Sequence, residues 1–246
     1  MLFQNRCALI STGSSSSPLL KKNPIVIPFI VRLLLGVFFI PVVIGYTQAF
    51  ADQLMSIQRV HAPELAFLLG VTSYLAFHTL ILVPSKAYVF GHELMHAAAA
   101  WISGGQVKGF KVGSKSGSVK TNKITSFIAL APYLVPVYAI LWTFFYGLAG
   151  IFWNMRSWSW WFFFGLGASL TFHLVFTVVA LKKKQTDLDL TGPVLALGLI
   201  TWTNMTVVAG VMSLIVPEVH FVPYLTGGFE QTLSIYQSLF RQLFGV

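Results

Sequence analysis

Gly91-His92-Glu93-Leu94-Met95-His96-Ala97 is the stretch of this sequence best equipped for chemistry. Residues four apart lie on one face of a helix, about one turn from each other, so His92 and His96 can turn two imidazoles towards one metal ion. Glu93 follows His92 directly and can reach a water beside that ion. The combination predicts zinc-assisted hydrolysis. Zinc acts as a Lewis acid and brings the pKa of water towards neutrality, while the glutamate takes the proton and passes it to the leaving amine. With six His and seven Asp plus Glu in the chain, accident would produce such a pattern on the order of 0.004 times, so the pattern is read as a site.

A catalytic zinc usually takes three protein ligands and keeps one position open. After Glu93 the next acidic residue is Asp187. That gap excludes the soluble patterns with a nearby glutamate, and Ala99 stands where HExxHxxGxxH needs glycine. The remaining candidates for a third ligand are Asp187, Asp189, Glu218, Glu230 and a histidine such as His173. Asp187-Leu188-Asp189-Leu190-Thr191-Gly192 is the best placed, with two carboxylates at the edge of an apolar run. Cys7 is the single cysteine, which excludes a disulfide framework and a cysteine-based zinc site.

The elements that must hold these groups follow from composition. Hydrophobic residues make up 56% of the chain and charged residues 9%, with mean hydropathy +0.75. A soluble domain carries about 25% charged residues. The composition therefore excludes a soluble globular body, and so much apolar surface excludes disorder. It predicts an all-α, polytopic transmembrane helical bundle. Apolar runs at 24–50, 64–83, 87–103, 124–153, 162–181 and 192–216 give about six membrane segments. Pro84-Ser85-Lys86 separates the second from the third, Gly104-Gly105 ends the third, and Pro132 and Pro136 bend the fourth. Residues 218–246 are more mixed, and 229–244 would lie along the interface or cross it in part. Two histidines and a glutamate inside such a segment are costly, which strengthens the functional reading over a hydrogen-bonded packing cluster.

Residues 104–123 change character, with five Lys, many Gly and Ser, and no acid. Val107, Phe110 and Val112 predict a small β-hairpin at the membrane surface. Two apolar runs separate this loop from Lys182-Lys183-Lys184, so both lysine clusters face one side, and their charge suggests the cytoplasm. Strict alternation then puts Lys21 and Lys22 outside, against the same rule, unless 64–83 or 87–103 stops short of a full span, so the orientation stays open. The net charge of +9 then sets topology and meets anionic lipid headgroups, and no nucleic-acid partner is expected. Residues 1–23 are Ser-rich, with Arg6, Lys21 and Lys22, and read as a flexible tail whose composition also suits an organelle transit peptide. Residues 24–246 read as one integral membrane domain.

GHELMHA on an apolar helix, a Gly-rich loop directly after it, and a later helix bordered by aspartate resemble the site-2 protease class of intramembrane zinc metalloproteases, peptidase family M50 and its small M50B-like branch. The resemblance covers residues 85–195, and HExxH is its specific part. It implies zinc bound by His92, His96 and Asp187, with Glu93 as general base. In place of the usual NPxxPxxxxDG or LDG motif stands Gln185-Thr186-Asp187-Leu188-Asp189, so Asp189 remains the alternative third ligand. The resemblance further implies a zinc metalloendopeptidase that cuts transmembrane proteins or peptides, in a bacterial-type cytoplasmic membrane or an organelle membrane.

The departure in the aspartate motif leaves a second expectation, a non-proteolytic zinc-binding scaffold or chaperone on the same fold. A metal or solute transporter is a third, against which stands the absence of any repeat that would support alternating access. A substrate helix must unwind before its peptide bonds are accessible, and the 104–123 hairpin is in position to pair with it by strand addition. Of the other polar residues, His78 reads as packed and hydrogen-bonded, and His173 as packed or a neighbour of the site. Asn204 reads as a helix–helix hydrogen bond or a contact to substrate backbone.

Overall fold

The computed structural model describes residues 7–11, 29–81, 85–114, 116–182 and 186–245. Eight α-helices account for most of them: α1 (Phe29–Met55), α2 (Ala62–Leu80), α3 (Ser85–Ile102), α4 (Ser126–Leu134), α5 (Val137–Phe152), α6 (Ser159–Leu181), α7 (Pro193–Ile215) and α8 (Phe221–Phe244). Three strands join them: β1 (Cys7–Ser11), β2 (Val107–Val112) and β3 (Gly117–Thr121). The all-α class is observed, with the expected hairpin after the HExxH helix.

Three segments are long and apolar enough to cross a membrane: Phe29–Met55, Met155–Leu181 and Pro193–Ile215. Counting bent pairs as single spans adds α2 with α3, whose axes differ by 118°, and α4 with α5, bent by 65°. Among the described residues the total is three, or up to five with the bent pairs, and the six expected are not all seen. The difference lies in 64–83 and 87–103, read as two spans, where α2 and α3 pass the test of length and apolarity only as a bent pair. Pro136 separates α4 from α5, so the bend foreseen there is a full break. Residues 221–244 form one amphipathic helix.

The described residues fall into two compact units, one holding β1 and Ala66–Thr191, the other Phe29–Leu65 with Gly192–Val246. In the first, β2 and β3 pair antiparallel, and β1 pairs parallel with the other side of β3, giving the order β1-β3-β2. Part of the segment read as a tail is therefore a strand; the remainder of 1–23 lies outside the described residues. Ala99 and Ala100 of α3 pack on Ile128 and Ala131 of α4, with Met95 and Val107 beside them. Two glycines bring α2 and α6 together: a Cβ on Gly70 would meet the Phe164 carbonyl, and one on Gly167 the Phe67 carbonyl. Close backbone approach through small residues is the usual basis of helix packing in lipid, where no hydrophobic drive exists between helices.

In the second unit α1 packs along α7 and α8. Ala49, Ala209 and Tyr224 form its core, with Tyr46, Phe50 and Phe221 around them. Asn204 hydrogen-bonds within its own helix, from Nδ2 to the Ile200 carbonyl at 2.8 Å.

Candidate metal centre

Helix α3 carries the site, and its C-terminal end is set by glycine. Gly104 takes φ +75°, its N–H donates to the Trp101 carbonyl and the Gly105 N–H donates to Ala100. This is a Schellman ending, which needs a left-handed residue that only glycine adopts without strain. The chain then turns straight into β2, so the hairpin is held beside the HExxH face.

His92 and His96 stand one turn apart with their Nε2 atoms 3.2 Å from each other. Asp187 Oδ2 lies 3.5 Å from each of those nitrogens. The aspartate comes from a single 3-10 turn, Thr186–Leu188, between α6 and α7. All four groups are buried, with His92 3% exposed, Glu93 0%, His96 0% and Asp187 3%. Asp187 is the carboxylate in the group; Asp189, two residues on, is exposed. Glu218, Glu230 and His173 do not belong to it.

The three edges can be tested against a bound ion. Tetrahedral ligands at about 2.0–2.1 Å from zinc are about 3.3–3.4 Å apart. The observed 3.2, 3.5 and 3.5 Å bracket that value on all three sides. The group could therefore hold a metal ion without rearrangement, and among the described residues it is the group of this kind.

Helix α4 orients the candidate ligands. Its N-terminus is capped by Thr125, whose hydroxyl accepts the Ile128 N–H at 3.2 Å. His96 Nδ1 lies 2.8 Å from the Ile128 carbonyl. A carbonyl only accepts, so Nδ1 carries the hydrogen and Nε2 presents a lone pair to the centre. The Ile128 carbonyl is available because its helical partner four residues on would be the N–H of Pro132, which proline lacks. One turn later Tyr133 donates its hydroxyl to Asp187 Oδ2 at 3.0 Å, and its ring stands edge-on to His92 at 5.2 Å. The Tyr88 hydroxyl meets His92 Nδ1 at 3.3 Å. Burial alone raises the Asp187 carboxyl, but hydrogen bonds with His92 and His96 outweigh it and hold the group well below the ordinary carboxylate range.

Glu93 faces the sheet. A Cβ on Gly117, the first residue of β3, would sit 2.5 Å from Glu93 Cγ and 2.7 Å from Oε1. Glycine is thus what lets the strand lie against the glutamate. Beside His92 a small cavity is lined by Tyr88, Met95, Tyr133, Phe172, His173 and Phe176. His173 is therefore a neighbour of the site, whereas His78 packs edge-on against Phe176 and meets the Tyr74 hydroxyl at 3.4 Å.

Tyr133, Tyr88, Gly117 and the Ile128 carbonyl were not legible as site groups beforehand. One local signal existed for the carbonyl: a proline four residues downstream in a helix leaves an acceptor unused. Comparison with protein-family models finds no match, and comparisons with curated proteins and with solved structures find none either.

Proposed function

We propose that the chain is a zinc-dependent intramembrane endopeptidase of the site-2 protease kind, a multi-pass protein of a bacterial-type or organelle membrane that cuts membrane-embedded protein or peptide substrates. The observation that carries the reading is the buried triangle of His92, His96 and Asp187, with edges of zinc dimensions and Glu93 on the same helix. Bound there, zinc would supply Lewis acidity for a scissile carbonyl and for water. Glu93 takes a proton from water and returns it to the leaving amine. The hydrogen bond from His96 to Ile128 keeps one imidazole in the ligating tautomer, and Tyr133 holds Asp187 in place. Peptide hydrolysis in lipid needs a polar pocket screened by protein, which the burial of these groups supplies. The sheet offers backbone pairing to a substrate that has unwound.

The test is to count the metal in purified protein, then compare the native chain with Glu93→Gln on a membrane-spanning reporter. The proposal expects zinc near one per chain in both and cleavage only in the native form, a loss of about 100-fold or more. Zinc in both forms with no cleavage by either would replace the protease by a zinc-binding scaffold.

A further inference from the structure

The four site groups are almost fully closed off, and a strand outside the HExxH helix lies beside them. β1 runs parallel to β3 with Cys7 opposite Gly117, Ala8 opposite Ser118 and Leu9 opposite Val119. Gly117 is the residue that lies against the Glu93 carboxylate. The pairing therefore places Cys7 and Ala8 one strand spacing, about 4.8 Å, from the backbone that touches the general base. β1 also lies against α3 and against the turn that carries Asp187. An extended backbone thus runs through a lane walled by β3, the HExxH helix and the third ligand.

That is the path an unwound substrate would need. The lane offers a ladder to pair with on one side and the hydrolytic groups on another. β1 is five residues long, and β3 keeps its antiparallel ladder with β2 if β1 leaves. Departure costs one short parallel ladder, and parallel pairing is the weaker kind.

We infer that this lane is a binding site for an extended peptide running parallel to β3, and that the chain's own Cys7–Ser11 segment fills it, shielding the metal centre until substrate displaces it. The inference rests on the proposed peptidase reading for its activity arm and on geometry alone for its access arm.

Both arms use the full chain, zinc-loaded and metal-counted, beside a variant lacking residues 2–11. In the activity arm the variant cleaves a membrane-spanning reporter about tenfold faster at low substrate, since a lane open a tenth of the time weakens apparent affinity by that factor. A synthetic peptide of residues 5–13 added to the variant raises KM and leaves kcat unchanged. In the access arm a chelator strips zinc about tenfold faster from the variant. If the deletion does not fold, Leu9→Pro and Ile10→Pro serve instead, because successive residues of a strand point their N–H groups to opposite sides and one of the two must face β3.

Equal cleavage and equal stripping in the native and altered chains would overturn the shield, whatever Glu93→Gln does. Faster stripping with no cleavage in any form would support the shield and remove the peptidase. Cleavage abolished by Glu93→Gln, with both rates indifferent to the segment, would leave the peptidase and remove the shield.

Discussion

The two units solve opposite problems with the same apolar alphabet. In the unit of α1, α7 and α8 the helices are long and unbroken, and what packs them is small residues and aromatic rings: Gly45 against Thr232, Gly228 against Tyr46, and Tyr46 edge-on to Tyr224 at 5.5 Å. Some of its buried polar groups close onto their own helices, as Asn204 does with Ile200 and Thr232 with Gly228, while the Tyr224 hydroxyl meets Thr206 of α7 at 3.1 Å. In the unit that carries the candidate metal centre, α6 is as long as α7, but α3 gives way to a sheet, α4 breaks from α5, and a 3-10 turn delivers a carboxylate. A continuous helix in lipid spends its backbone groups on itself. Only where regularity fails do a spare carbonyl, a strand edge or an inward-facing aspartate become available for chemistry.

Mutations can break this contrast, and the largest effect is expected at the aspartates. Asp187→Ala should lose the bound metal, while Asp189→Ala, at an exposed position, should keep it; metal analysis of the purified proteins decides. Loss in both, or in neither, would remove Asp187 as the third ligand. Next comes Gly117→Ala. The added methyl enters the space of the Glu93 carboxylate, and under the proposed peptidase reading a displacement of Glu93 by about 1 Å costs on the order of 100-fold in turnover. Metal content should not change, so a fall in zinc would point to collapse of the sheet instead.

The helical unit should respond in another currency. A Cβ at Gly45 would lie 2.6 Å from the Thr232 backbone nitrogen. Gly45→Val should therefore force α1 and α8 apart and cost about 1–3 kcal/mol in unfolding measured in detergent, with the metal count intact. The smallest effect is Tyr133→Phe, which deletes one hydrogen bond to Asp187 Oδ2. Loss of such an outer partner weakens metal affinity by about tenfold, read by chelator competition. No change there would mean that the 3-10 turn alone holds the aspartate.

Much of this was legible in the sequence because it is local. Apolar runs gave most helices, glycine marked the end of α3, and i, i+4 spacing placed His92 and His96. The choice between Asp187 and Asp189 was not legible, since both sit two residues apart in one loop and only the turn decides which faces inward. β1 was hidden for a different reason. Its partner lies 110 positions away in register, Cys7 to Gly117, and parallel pairing leaves no turn signature between the strands. The bend between α2 and α3 was not legible because hydropathy measures length and polarity but carries no direction.

Pro132 has a consequence beyond shaping its span. Its missing N–H gives His96 a carbonyl to bind, so the backbone defect and the imidazole tautomer are tied to a single ring. Any substitution that repaired the helix there would offer Ile128 a second donor and loosen the constraint on which nitrogen is protonated. The tautomer of one candidate ligand thus depends on a backbone defect in a neighbouring helix.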